Sequence, residues 1–235
     1  MPERIIIFLN GEFNPPPNLP PNPDPEDVII ATDGGIKHVL NLGWSPQILL
    51  GDFDSTPFEI LTRLKGRSSL RLYTFPVEKD KTDFELTLDF VLKDFPNAKT
   101  VIIFGALGKR WDMTLSNLIL PVTFFQAYPK SRKKPHILFW DAHTIIHLLE
   151  GPNTLQISPE FANFIFSLIP LSPIVKGVTL NGNFKYPLKE GDLLFGHTLG
   201  LSNVILEDAG SVSFKEGYLG IFLEPPEKED SHLIH

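Results

Sequence analysis

Cysteine is missing from the chain altogether. No disulfide framework, thiolate metal site or thiol nucleophile is therefore available, and a reducing cytoplasm is the compartment this composition fits. Long apolar runs are missing too. The N-terminal run Ile5 to Leu9 is too short for a signal-peptide core and has no cleavage-like site after it, and no stretch reaches membrane-spanning length. Positive charge is in deficit: 21 Lys and Arg stand against 28 Asp and Glu, a formal net charge of −7. That balance argues against broad capture of nucleic acid or an anionic membrane, and the local basic cluster Lys130 to Lys134 reads as a solvated loop. Standard phosphate loops are absent as well. The chain has no G-x-x-x-x-G-K-[ST], no G-x-G-x-x-G and no kinase catalytic-loop signature, which disfavours P-loop, Rossmann dehydrogenase and protein-kinase chemistry. His143 and His147 stand four apart but lack the glutamate of a zinc-protease helix, so they read as packing or surface histidines.

What is present is ample apolar material, 42% of residues at a mean hydropathy of +0.02, enough for one large domain or two modest ones. Short apolar runs at residues 4–9, Val28 to Ala31, Ile48 to Leu50, Leu70 to Phe75, Thr100 to Phe104 and Ile137 to Trp140 read as strands. Helical segments alternate with them. Ile36, Val39, Leu40 and Leu42 predict a short helix closing at Gly43, and Phe58, Leu61 and Leu64 a second. The clearest helix start is Thr82, whose spacing to Glu85 is that of a capping box ahead of the apolar face Phe84, Leu88, Val91, Leu92 and Phe95. A further helix runs through Leu115, Leu118 and Ile119 and is expected to end or kink early at Pro121. Seven of the 22 prolines fall between Pro15 and Pro25, predicting a semi-rigid surface loop. The alternation predicts a doubly wound, mostly parallel α/β sheet.

The acids fall at the ends of these strands. Asp52 and Asp54 follow Ile48-Leu49-Leu50-Gly51, and residues two apart in an extended loop point the same way. They can thus offer oxygens to one hard cation such as Mg²⁺. Asp33, Asp80, Asp83 and Asp112 also lie just beyond predicted strands, on the edge where open α/β sheets bind ligands. Carboxylates without cysteine or a convincing histidine set point to Mg²⁺ rather than Zn²⁺, and a metal-mediated nucleotide suits an acidic protein. The Gly105 to Asp112 loop can cradle phosphate oxygens with its backbone N–H groups, and Arg110 can act as a bidentate clamp.

From about Ile145 the pattern changes to strand-length runs without amphipathic helices: Asn163 to Ile169, Ile174 to Leu180, Leu193 to Phe195, Ser202 to Leu206, Ser211 to Phe214 and Tyr218 to Leu223. Turn signals such as Asn181-Gly182 and Glu216-Gly217 separate them. The expectation is an α/β domain over 1–144, an antiparallel β-sandwich over 145–224 and a frayed tail over 225–235.

Five blocks, in order along the chain, resemble the thiamine pyrophosphokinases. They are Thr32-Asp33-Gly34-Gly35, Gly51-Asp52-Phe53-Asp54-Ser55, Asp80-Lys81-Thr82-Asp83-Phe84-Glu85, Gly105 to Asn117, and Phe184 to Leu188 with Gly200 to Asn203. The resemblance implies an α/β nucleotide domain and a β-sandwich, a homodimer with the thiamine site between subunits, and transfer of a diphosphoryl group from ATP to the hydroxyl of thiamine, leaving AMP. It further implies that Asp33, Asp52, Asp54 and Asp83 hold Mg²⁺ and polyphosphate, with Asp54 or Asp83 as the base. The ATP site would comprise Asp33, Gly34, Thr82, Asp83, Gly105, Arg110 and Asp112, and the thiamine-facing set Tyr186, Ser202 and Asn203. Met113 stands where the family usually carries His, and Lys109 where Gly commonly precedes the Arg. A diphosphokinase for another ring alcohol such as a hydroxymethyl pterin is the alternative on the same scaffold. An aspartyl-phosphate hydrolase is disfavoured because no glycine-threonine pair follows Asp52-Phe53-Asp54. A non-catalytic nucleotide or thiamine sensor has little need of so many desolvated carboxylates.

Overall fold

Among the described residues, six short strands of the first half pair in parallel: β1 (Arg4–Phe8), β2 (Val28–Thr32), β3 (Ile48–Gly51), β4 (Arg71–Thr74), β5 (Thr100–Phe104) and β6 (His136–Trp140). The computed structural model describes residues 2–16, 18–19, 22–57, 59–60, 62, 70–76, 80–108, 110–128, 132–207 and 210–226. The chain divides between Ala142 and His143 into two compact units. In the first, the strand order is β6-β5-β1-β2-β3-β4. Successive strands step one way from β1 to β4 and the other way from β5 to β6, so the order reverses between β1 and β5. In open α/β sheets, ligands bind outside the carboxyl ends of the strands at such a reversal.

The central strands are continuous apolar runs because both faces are covered. Ile5, Ile7, Phe8, Ile30 and Ile48 to Leu50 are fully buried, each contributing roughly 1.5–3 kcal/mol by leaving water. β4 is an edge strand and is partly exposed throughout. Helix α1 (Ile36–Asn41) lies against β1 and β2, and α2 (Asp83–Asp94) against β2 and β3 and beside α3 (Trp111–Ala127). The start of α2 is as its capping box predicts: Thr82 is the N-cap, and its hydroxyl accepts the Glu85 N–H at 3.2 Å. Phe84, Leu88 and Val91 are buried while Asp89 and Lys93 face water.

Of the two outcomes expected at Pro121, an end or a kink, α3 does not end there, for it continues to Ala127. Proline inside a helix costs about 3 kcal/mol or more. Pro121 itself, Phe124, Phe125 and Tyr128 are all buried beyond that point, and at roughly 1.5–3 kcal/mol for each aromatic ring this packing offsets the lost hydrogen bond. The predicted helix on Phe58, Leu61 and Leu64 lies outside the described residues. The described part of the proline-rich segment is tied to the core: Pro16 is buried, Leu19 packs on the cluster around Phe8, and the Ala142 N–H donates to Asn14 O at 3.0 Å.

The second unit holds β7 (Ile145–Glu150), β8 (Asn153–Ile157), β9 (Ile165–Pro170), β10 (Ile174–Asn181), β11 (Gly191–Leu194), β12 (Asn203–Val204), β13 (Gly210–Phe214) and β14 (Tyr218–Glu224). They form two antiparallel layers ordered β12-β9-β14-β7 and β11-β10-β13-β8. Alternate residues of β9 and β13 point inward. Phe166, Leu168, Leu219 and Ile221 from one layer and Val175, Val178, Leu193 and Val212 from the other share one core, which makes this unit a sandwich. The fold class is thus α/β, a mostly parallel sheet followed by an antiparallel β-sandwich. β7 and β8 are not among the strands picked out from the sequence; β8 alternates polar Asn153, Thr154 and Gln156 with only Leu155 and Ile157 as apolar signal.

Candidate active site

At the carboxyl end of β2 the chain makes a single 3₁₀ turn, Asp33–Gly35, before α1. Asp33 adopts φ 43°, a left-handed conformation that costs a non-glycine residue about 1–3 kcal/mol and persists only when its surroundings enforce it. The turn is enforced from two sides. The Thr56 hydroxyl donates to Asp33 Oδ1 at 3.1 Å. Gly51, at φ 145°, lets the end of β3 approach so closely that a Cβ there would sit 3.1 Å from Asp33 Cβ. Asp33 is consequently buried, at 5% exposure.

The loop after β3 brings the next two acids to it. Phe53 is also left-handed, at φ 64°, and the Asp54 N–H donates to Asp52 Oδ1 at 3.2 Å. The Ser55 hydroxyl donates to Asp54 Oδ1 at 2.9 Å. One carboxylate oxygen from each of Asp33, Asp52 and Asp54 lies within 4.8 Å of the others. All donors are oxygen and the group grades from buried Asp33 to exposed Asp54, so it fits a hard cation that keeps part of its hydration, Mg²⁺ being the usual one.

Among the described residues, that group does not extend to Asp83 or Asp112. Asp83 opens α2 and is half-buried, and Asp80 is exposed before it. Gly34 is buried in the turn, and Gly105 follows β5 at φ 68°. Arg110 and Asp112 are exposed and pair with each other through two bonds, Nε to Oδ1 at 3.1 Å and Nη2 to Oδ2 at 2.6 Å. That pairing, helped by the Met113 N–H, lowers the Asp112 carboxyl from 3.8 to about 2. The depressed value means the pair's contribution is complete above the ordinary aspartate range and is lost as pH falls towards 2. Arg110→Gln is expected to return Asp112 towards its ordinary titration, measured by carbon-13 NMR of the side-chain carboxyl.

In the sandwich unit, Asn203 is buried at 4% exposure and its amide is committed to the chain. Its Nδ2 donates to Tyr186 O at 2.6 Å, and its Oδ1 accepts from the Tyr186 N–H at 2.9 Å and the Val204 N–H at 2.8 Å. Asn203 thereby fixes the backbone of Tyr186, whose ring is exposed and carries Lys185 Nζ 5.5 Å from its centroid. That ring face already receives a cation. Ser202 is left-handed at φ 54°, and its N–H donates to Ser167 Oγ at 3.0 Å.

The sequence reading does not pick out Thr56, which bonds Asp33. Thr56 follows the acid loop directly, so a hydroxyl next to paired carboxylates was the available signal.

Three carboxylates gathered at the carboxyl edge of a doubly wound sheet define an α/β protein with a cluster suited to a hard divalent cation. Residues 24–131 match the family model described as thiamin pyrophosphokinase, catalytic domain, and residues 153–219 that described as thiamin pyrophosphokinase, vitamin B1 binding domain. The thiamine pyrophosphokinase of Bacillus subtilis (strain 168) is 31% identical over 217 residues, 92% of this chain and 96% of that protein. A crystal structure of the Bacillus subtilis protein superposes with a TM-score of 0.80 at 30% identity, covering 95% of this chain and 99% of that one. The thiamin pyrophosphokinase of Geobacillus thermodenitrificans gives 0.77 at 30% identity, covering 96% and 99%. The chain belongs to the thiamine pyrophosphokinase family.

Proposed function

We propose that the protein transfers a diphosphoryl group from ATP to thiamine, with Mg²⁺, giving thiamine diphosphate and AMP. The observation that carries this reading is the convergence of Asp33, Asp52 and Asp54 within 4.8 Å at the carboxyl edge of the sheet, in a chain matched along both halves by the family models. The oxygen of the thiamine hydroxyl bonds to the β-phosphorus while the bond from that phosphorus to the α,β-bridging oxygen breaks, and AMP leaves with that oxygen. When bound, Mg²⁺ neutralises charge on the non-bridging oxygens. Asp33, Asp52 and Asp54 are the residues that hold it. Asp83, outside that trio and at the first turn of α2, is the carboxylate assigned to take the hydroxyl proton, with Asp54 the alternative.

Thr82, Gly34, Gly105 and the Arg110–Asp112 pair complete the ATP side, with Arg110 exchanging its carboxylate partner for phosphate. Tyr186 and Ser202 face the thiamine, Asn203 holds Tyr186 in place, and the cationic ring takes over the aromatic face that Lys185 now occupies. Residues 1–144 act as the nucleotide domain and 145–224 as the thiamine domain. The working form is a homodimer, a reading supported by the exposed apolar row Trp111, Leu115 and Ile119 along α3, at 79%, 61% and 49% exposure. No helix among the described residues is long and apolar enough to cross a membrane, and the cytoplasm is the proposed location.

The test is a nucleotide-product assay on purified protein. Mg-ATP with thiamine is expected to yield AMP and thiamine diphosphate in equal amounts. Release of ADP, or nucleotide turnover without thiamine, would overturn the reading, and AMP formed with a hydroxymethyl pterin in place of thiamine would move it to the alternative substrate.

A further inference from the structure

Asn10 stands just past the end of β1, at the point where the strand order reverses. Its side chain lies directly across Gly34: a Cβ built on Gly34 would fall 2.1 Å from Asn10 Oδ1, 2.4 Å from its Cγ and 2.7 Å from its Nδ2. Any side chain at position 34 would evict the carboxamide. The residue before Gly34 is Asp33, the buried member of the carboxylate trio. Asn10 is nonetheless exposed, and among the described residues no hydrogen bond takes up its amide.

The neighbouring backbone is held by two partners, Gly105 and His38. Gly11 N–H donates to Gly105 O at 3.0 Å, and Gly11 O receives His38 Nε2 at 2.9 Å. A Cβ on Gly11 would fall 2.2 Å from Gly105 O, so the two strand ends touch backbone to backbone. Burial lowers the His38 pKa against the pull of the Gly11 carbonyl; the neutral imidazole with its proton on Nε2 is then the donor in that contact. The outcome is a polar amide lying over Gly34 on an anchored backbone and open to solvent, beside the residue that follows the buried acid of the cluster.

We propose that Asn10 is a further nucleotide-contacting residue, its carboxamide lodged on Gly34 so that Nδ2 donates to an oxygen of the bound polyphosphate. The proposal rests on the reading that this chain binds ATP. An amide suits the place chemically. A Lys or Arg there would compete with the metal for the three carboxylates, whereas another carboxylate would repel the phosphates. A neutral N–H offers a hydrogen bond to an anionic oxygen, an interaction whose loss corresponds to about a tenfold to hundredfold change in affinity.

The test compares the wild-type enzyme with Asn10→Ala, Asn10→Asp, Gly34→Ala and the double variant Asn10→Ala with Gly34→Ala, using steady-state kinetics in both substrates and thermal unfolding. Asn10→Ala is expected to raise KM for ATP about tenfold to hundredfold while KM for thiamine and the unfolding midpoint stay put. Asn10→Asp raises it further. Gly34→Ala, at a residue on the ATP side itself, is at least as impaired as Asn10→Ala, and adding Asn10→Ala to it makes it no worse, because the alanine has already displaced the carboxamide. Should Gly34→Ala fail to fold, the two Asn10 variants decide alone. A wild-type KM for ATP in Asn10→Ala, or a loss shared equally between the two substrates, overturns the inference while the wild-type activity still stands. A wild-type protein that makes no AMP overturns the functional reading itself.

Discussion

Asp54→Asn is expected to lower kcat by about a hundredfold to a thousandfold, the scale of removing one group that stabilises transition-state charge, with no loss of fold. The two halves of this expectation have separate causes. Asp54 is the exposed member of a trio whose oxygens lie within 4.8 Å of one another, and that crowding is useful only when a cation sits among them. With the cation absent, three carboxylates at that spacing repel, so replacing one by a neutral amide of the same shape relieves the native state. The substitution keeps the acceptor for the Ser55 hydroxyl, which donates to Asp54 Oδ1, and touches no core side chain. The unfolding midpoint without added metal should therefore hold or rise, and the stabilisation that Mg²⁺ confers on the wild type should shrink in the variant. Calorimetric scans with and without Mg²⁺, beside the AMP assay, read both. A variant that keeps wild-type turnover would remove the trio from the chemistry. One that unfolds would show instead that Asp54 serves the loop.

The contrast between Asp54 and Asp33 shows which parts of the site a linear reading reaches. An acid just past an apolar run can be assigned to the carboxyl edge of a parallel sheet, because strand direction and crossover handedness leave few other places for it. That reasoning brought Asp33, Asp52 and Asp54 to one rim. It placed Asp83 and Asp112 at strand ends as well, yet neither joins the trio, since the edge of a sheet is wide and sequence position says nothing about distance along it. The Thr82–Glu85 cap was legible because both partners lie within one helical turn. The continuation of α3 through Pro121 was not, because the packing that offsets the proline comes from residues brought in by tertiary contact.

Other features depend on pairings between distant residues. Nothing local to Gly34 announces that Asn10 will lie across it, and nothing local to Thr56 announces a bond to Asp33. The left-handed turn at Asp33 belongs to the same class: the residue type is unremarkable there, and the close approach of Gly51 and the Thr56 hydroxyl bond account for it. The family resemblance implies a thiamine-facing Asn203, and in the structure its amide bonds Tyr186 and Val204. An amide can serve either a ligand or a loop, and its chemistry does not distinguish them until its burial is known.

Phe8→Ala is expected to cost about 3–5 kcal/mol of stability, the range for deleting a fully buried aromatic ring. Phe8 is completely buried at the end of β1, and its ring meets three others: Phe104 at 4.9 Å, Phe13 at 5.6 Å and Trp44 at 5.9 Å between centroids. These neighbours come from β5, from the segment after β1 and from the stretch beyond α1, so they cannot collapse together into the space left behind. A loss of that size is a large share of the roughly 5–15 kcal/mol that holds a domain folded. The backbone at this position matters equally, since Phe8 O accepts the Thr32 hydroxyl at 3.0 Å, and Thr32 leads directly into the Asp33 turn. Phe8→Leu, which keeps apolar volume but loses the ring contacts, should cost less than the alanine variant and retain turnover at low temperature. Chemical denaturation of both variants, with AMP formation measured well below each midpoint, separates the packing effect from the site. If Phe8→Ala unfolds at the wild-type denaturant concentration, the aromatic cluster is not what holds β1 against β5.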